Sequence, residues 1–260
     1  KYLLPDLRKE FSPDIIIANG ENAASGYGIT EKTFNELREA GIDVFTMGNH
    51  LFDKKDFQEK LHTSEFIVRP ANYPQSVPGH DHIIIEKHGV KIGIINFLGR
   101  VFMPPMDCPF RSADALIEKI KNKTEIIIVD IHAEATSEKY GFGYHLDGKV
   151  SAVIGTHTHV MTADERILSK GTAFICDIGM VGALDSIIGM NKEEILARFL
   201  TQMPHRFEPS KSGDGLFNGA IIKIDTKTGK AREIKRINKV IKEIILKNFV
   251  SSEEESTKEG

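Results

Sequence analysis

Four apolar runs, spread over most of the chain, each stop at a short polar tip built from metal-binding groups. Residues 15–18, 42–47, 125–129 and 150–154 lead into Gly20-Glu21-Asn22, Gly48-Asn49-His50, Asp130-Ile131-His132 and Gly155-Thr156-His157-Thr158-His159. Short runs rich in Ile and Val read as buried strands. A sheet whose strands end in carboxylate, amide and imidazole groups collects those groups along one edge. A metal centre can be assembled there from residues far apart in sequence.

The segments between these strands set the fold class. Leu3, Leu4, Leu7 and Phe11 share one helical face before Pro13. Thr30 can cap a helix that runs to about Ala40 and stops at Gly41. A short helix is expected from Asp53 to Leu61. Strands at 82–86 and 90–97 flank the hairpin turn Lys87-His88-Gly89. After an irregular stretch with Pro104, Pro105 and Pro109, Ser112 is expected to cap a helix over 113–121. A strand at 172–177, a helix over 192–203 and a second hairpin, 216–225 with 231–240, complete the order. Helices between strands early and hairpins later predict a four-layer α/β/β/α sandwich of two mixed sheets. A length of 260 residues favours one large domain, placed at 1–245, with an acidic, disordered tail at 246–260. The chain opens at Lys1, without Met, inside a helical pattern, so a strand is expected upstream of it.

Composition narrows the partners. A net charge of −3 and a pI near 6.4 argue against long nucleic acid. No apolar run approaches the ~20 residues needed to cross a bilayer, so no membrane partner is expected. Cys108 and Cys176 stand far apart and outside any CxxC pattern, which suggests neither a disulfide framework nor a thiolate zinc site and favours a reducing, cytoplasmic setting.

Each tip carries its own chemistry. The two oxygens of Glu21 can point at different cations, although taken alone it reads more readily as a turn carboxylate capping the next helix. Asn49 offers a neutral oxygen, and the adjacent His50 points elsewhere and can handle protons, with Asp53 and Asp56 close by. Strand alternation puts Asp130 and His132 on one face, one to ligate and the other to orient it. In extended backbone His157 and His159 would project to one side. Mixed oxygen and nitrogen ligands without thiolates suit iron, manganese or zinc. A pair of such ions usually serves hydrolysis, holding the attacking and leaving oxygens of a phosphoryl group. The segment 134–139 reads as a solvated loop, with a phosphate contact from Ser137 or Lys139 as the weaker alternative. Residues 141–144 read as an ordinary loop, with base stacking as the weaker alternative. His80, His82 and His88 read as solvent-facing residues of a hairpin, and His62, His145 and His205 have no ligand-like context.

Taken together, Asn19-Gly20-Glu21-Asn22-Ala23, Met47-Gly48-Asn49-His50, the run Asp130 to Lys139 (DIHAEATSEK) and Gly155-Thr156-His157-Thr158-His159-Val160 resemble the YmdB-like metallophosphoesterases. The resemblance extends from Lys1 to about Ile237. It implies a binuclear phosphodiesterase or phosphatase acting on 2′,3′-cyclic nucleotides, with iron or manganese as metal and often an oligomeric state. It implies that Glu21 bridges the ions, that Asn49, His132 and His157 complete one, and that Asn22 and His159 help hold the other. His50 would then donate a proton to the leaving oxygen or steady the transition-state charge. The family's first strand ends in Gly-Asp, whose Asp ligates the first ion; no such segment occurs here, which reads as a fragmentary sequence. Were Lys1 the true start, weak occupancy of that ion and low activity would be expected. A nucleotide sensor that keeps the metal site and a broad phosphomonoesterase remain the alternatives.

Overall fold

The structure is a computed structural model that describes residues 1–242. The expected tail at 246–260 and the domain boundary at 245 lie outside the described residues. Six helices are numbered in chain order: α1 (Leu4–Phe11), α2 (Glu31–Glu39), α3 (Gln58–Thr63), α4 (Pro109–Ile120), α5 (Thr136–Leu146) and α6 (Lys192–Thr201). The strands are β1 (Ile17–Asn19), β2 (Val44–Thr46), β3 (Ile67–Val68), β4 (His82–Lys87), β5 (Val90–Leu98), β6 (Ile126–His132), β7 (Ala152–Thr156), β8 (Arg166–Ile167), β9 (Ala173–Ile175), β10 (Val181–Ala183), β11 (Gly215–Ile224) and β12 (Ala231–Ile241).

The strands form a six-stranded mixed sheet, β4-β5-β6-β7-β9-β8, and two three-stranded sheets, parallel β1-β2-β3 and antiparallel β10-β11-β12. Hydrophobic contacts define the layers. Val44 and Val68 pack against Ile83, Ile92, Ile94 and Ile126, sheet face to sheet face. Ala231 of β12 packs on Ala152 and Ala173, so the antiparallel sheet covers the other end of the mixed one. Helices α1, α2 and α3 close the outer face of the parallel sheet through Leu4, Phe34 and Leu61 around Phe45 and Phe57. Helices α4 and α5 close the far side of the mixed sheet through Leu116, Ile117, Ile120, Phe142 and Leu146. Each such fully buried side chain contributes about 1.5–3 kcal/mol. The expected α/β/β/α layering is present. The layer facing the mixed sheet differs in detail, because among the described residues its two halves share no strand ladder.

Local chemistry explains most boundaries. Thr30 Oγ1 accepts from the Thr33 N–H at 3.2 Å and starts α2. His88 and Gly89 both have positive φ, as a two-residue hairpin between right-twisted strands requires. Two expectations fail. Helix α4 starts at Pro109, not after Ser112, because a proline needs no N–H partner in the first turn and its φ suits a helix. Residues 136–146 form helix α5 where loops were expected. Gly141 and Gly143 suggested loop; at Gly143 a Cβ would lie 2.5 Å from the Phe174 ring, so glycine is what lets the helix pack on β9.

Strands β1 and β2 run parallel, as do β5, β6, β7 and β9. In such sheets the carboxyl ends of the strands form the natural binding edge. Here Asn19 Nδ2 reaches Asp130 Oδ2 across the sandwich at 3.1 Å, tying the tip of β1 to β6. Strand β7 is fixed just as tightly: a Cβ at Gly155 would lie 1.7 Å from the Cys176 carbonyl oxygen. Gly155→Ala is therefore expected to cost roughly 3 kcal/mol, the upper end for overpacking. Urea denaturation of the two proteins checks it, and an unchanged midpoint would refute the close packing.

Candidate metal centre

Three of the expected ligands converge. Glu21, which follows β1, lies with Oε1 2.7 Å from Nε2 of His132, the last residue of β6. His157, which follows β7, has Nδ1 3.0 Å from the same Nε2. Glu21 and His132 are each 1% exposed, and one ligand atom from each of the three residues lies within 4.8 Å of the others. Glu21 Oε2 also accepts the His50 backbone N–H at 3.1 Å, which draws the tip of β2 into the group. Gly48 makes room for this. A Cβ there would stand 1.9 Å from Glu21 Oε2 and 2.5 Å from His132 Nε2.

A hydrogen-bond relay sets the tautomer of His132. Thr156 Oγ1 donates to Asp130 Oδ1 at 2.7 Å, so it accepts from His132 Nδ1–H at 2.9 Å. Asp130 is buried and also accepts from Thr46 Oγ1 and Asn19 Nδ2. Burial raises its pKa, opposed by His132 and by the bonds from Thr46, Thr156 and Asn19. Asp130 thus reaches His132 through Thr156, while the other ring nitrogen of His132 faces Glu21 and His157.

The cluster fits a cation. With Nδ1–H committed to Thr156, His132 Nε2 offers a lone pair that faces a carboxylate oxygen and a second imidazole nitrogen. Facing acceptors need a positive charge between them, carried by a proton on His132 or by a metal ion. Burial alone would raise the Glu21 pKa, yet its attraction to His132, their hydrogen bond and the His50 N–H bring it below the usual value. His157 is pushed down to about 4, by burial first and by His132 second, so it is the neutral imidazole that metals bind. Asn49 Oδ1 is buried without a hydrogen-bond partner, directly after Gly48. A proton on His132 leaves that oxygen orphaned, whereas a cation gives it a partner. The residues present suit a first-row metal ion.

The remaining site residues are placed differently. Asn22 Nδ2 donates to the Gly26 carbonyl at 2.8 Å, which leaves its Oδ1 to accept. His159 is outside the three-residue group; its Nδ1 donates to the Ile188 carbonyl at 2.9 Å and leaves Nε2 free to ligate. The extended backbone expected for His157 and His159 is absent. Both adopt positive φ, 99° and 65°, at about 1–3 kcal/mol each, and so do not share a face by strand alternation. His50 points Nδ1 at Asp53 Oδ2, 2.8 Å away, with the Tyr27 ring edge-on at 5.1 Å. Asp53 thereby has a task, to orient the His50 ring through Nδ1. Glu134 Oε2 lies 3.2 Å from His157 Nε2. Lys139 is fully buried on α5, so it makes no phosphate contact. Thr46, Thr156, Lys139 and Asp177 were missed as supports of the site. Only Thr156, one residue before a candidate ligand, stood where a sequence could have suggested it.

The layered sandwich with this ligand-rich carboxyl edge is a metallophosphoesterase-like fold. More narrowly, the chain belongs to the YmdB-like family, whose model, described as YmdB-like protein, matches residues 1–237. The chain is 47% identical over 237 residues to a Bacillus subtilis (strain 168) protein named 2′,3′-cyclic-nucleotide 2′-phosphodiesterase, covering 91% of this chain and 89% of that one. Two crystal structures share the fold closely. A hypothetical protein from Thermus thermophilus superposes with TM-score 0.84 at 41% identity, over 92% of this chain and 91% of that one. A protein titled a novel phosphatase, from Mycoplasma pneumoniae, gives TM-score 0.85 at 36% identity, over 92% and 87%.

Proposed function

We propose that this protein is a binuclear metal-dependent phosphodiesterase that opens 2′,3′-cyclic nucleotides to 3′-phosphates. The observation that carries the reading is the meeting of Glu21, His132 and His157, supported by the buried, unpartnered oxygen of Asn49, the residue after Gly48, whose Cα borders Glu21 and His132. The name of the B. subtilis relative supports the substrate class. In this reading Glu21 would help hold both ions; Asn49, His132 and His157 would complete the ligands of one, and Asn22 and His159 would help hold the other. Iron is the first choice, with manganese and zinc compatible with the same ligands. Bound there, the ions would supply Lewis acidity to the phosphoryl oxygens and activate the attacking water. The chain supplies the rest. Asp130 and Thr156 keep His132 in the ligating tautomer. Asp53 keeps His50 aimed, and His50 protonates the departing 2′-oxygen. Two free cysteines, one of them buried, fit a reducing cytoplasm. No helix among the described residues is long and apolar enough to cross a membrane.

Turnover of 2′,3′-cyclic AMP should disappear after chelation and return with iron or manganese, with 3′-AMP as product by chromatography. Faster hydrolysis of 3′-AMP than of the cyclic diester would replace this reading with a phosphomonoesterase. Tight nucleotide binding without turnover in metal-loaded protein would replace it with a sensor.

A further inference from the structure

We propose that the buried ion pair of Lys139 and Asp177 is a positioning device that locks the backbone of the His157–His159 loop into its ligating shape. The inference rests on the metal-centre reading above. Asp177 lies two residues beyond the end of β9 and is 1% exposed; Lys139 is 0% exposed. One oxygen, Asp177 Oδ2, receives three donors: Lys139 Nζ at 2.7 Å, Thr158 Oγ1 at 2.7 Å and the Thr158 backbone N–H at 3.0 Å. The other oxygen takes the Gly179 N–H at 2.8 Å. The main chain of Asp177 closes the far side of the loop, because its carbonyl accepts the Thr162 N–H at 3.0 Å and its own N–H donates to Thr162 Oγ1 at 2.9 Å. A single aspartate thus grips the loop at both ends.

Thr158 is the residue between the two left-handed histidines. Backbone in that region persists only where the surroundings over-determine it. Two bonds from Thr158 to one carboxylate oxygen do so, and they are strongest while the carboxylate is charged. Lys139 Nζ adds a third donor to that oxygen in a site closed to water. The lysine stem passes close beneath β7, where a Cβ at Gly155 would come within 3.0 Å of Lys139 Cδ. The lysine is on α5, which follows β6 and His132 within a few residues. The pair therefore connects the two strand ends that carry His132 and His157. A buried ion pair is weak evidence for stability, since apolar residues often replace one without loss. What such residues cannot replace is the hold on the Thr158 N–H and hydroxyl.

Cobalt(II) titration, read by its visible ligand-field band, separates positioning from mere support. Thr158→Ala removes only the hydroxyl bond and should fold. We expect it and Asp177→Asn to weaken cobalt affinity by about 10- to 100-fold and to move the band. Thr158→Ser should restore both. If Asp177→Asn does not fold, Thr158→Ala decides alone. Wild-type affinity and an unmoved band in Thr158→Ala would overturn the inference, even with a lowered melting temperature. If the wild-type protein itself develops no cobalt band, the metal centre fails and the inference with it.

Discussion

Glu21→Gln is expected to lower kcat by ~10³-fold or more, about 4 kcal/mol of transition-state stabilisation, while leaving the metal-free fold at least as stable as wild type. The two effects have opposite signs for one reason. The Glu21 carboxylate is nearly completely buried, with Oε1 2.7 Å from His132 Nε2. It is the only acid in the three-residue cluster, so it supplies the negative charge that draws a cation into a dry site. The glutamine amide has the same shape but no charge. Its N–H₂ can donate to a neutral His132 Nε2, so a neutral hydrogen bond takes the place of the buried carboxylate–imidazole contact, an exchange that is often neutral or stabilising, and its oxygen can still take the His50 N–H. Metal-free unfolding should therefore keep or raise its midpoint, while metal per chain, measured by elemental analysis after gel filtration, falls. Equal metal content and equal turnover in the two proteins would remove Glu21 from the centre. A lost fold would instead mean that the carboxylate is needed for structure.

The candidate ligands were legible because strand ends are. Glu21, Asn49, His132 and His157 each follow a short apolar run, and parallel strands bring such ends to one edge. The layered fold was legible for the same reason, since the alternation of helices, strands and hairpins allows few architectures. What escaped was whatever depends on partners distant in sequence. Asp177 sits in Cys176-Asp177-Ile178 with no ligand-like neighbour, and its role comes from Lys139 and Thr158, 38 and 19 positions away. Helix α5 escaped because its glycines lower helix propensity, while the benefit of Gly143 comes from packing on Phe174 of another element. The left-handed histidines escaped because His-x-His carries no mark of positive φ. That backbone is imposed by an aspartate outside the loop.

His50→Ala is expected to lower kcat on 2′,3′-cyclic AMP by about 10²- to 10⁴-fold, the usual range for loss of a positioned proton donor. Metal affinity should not change, for the His50 side chain is outside the cluster. Its contribution to Glu21 is the backbone N–H, which alanine retains. Asp53→Asn should cost less, since an amide oxygen can still accept from His50 Nδ1–H. The choice of leaving group then tests the role itself. A 2′-alkoxide leaves poorly and needs its proton, whereas p-nitrophenolate leaves without one. His50→Ala should therefore be far milder on bis(p-nitrophenyl) phosphate than on the cyclic nucleotide. An equal loss on both substrates would mean that His50 stabilises charge on the phosphoryl oxygens, whose need for it does not depend on the leaving group. A loss that tracks metal content would instead make it a ligand, and the hydrogen bond to Asp53 an arrangement that the bound ion breaks.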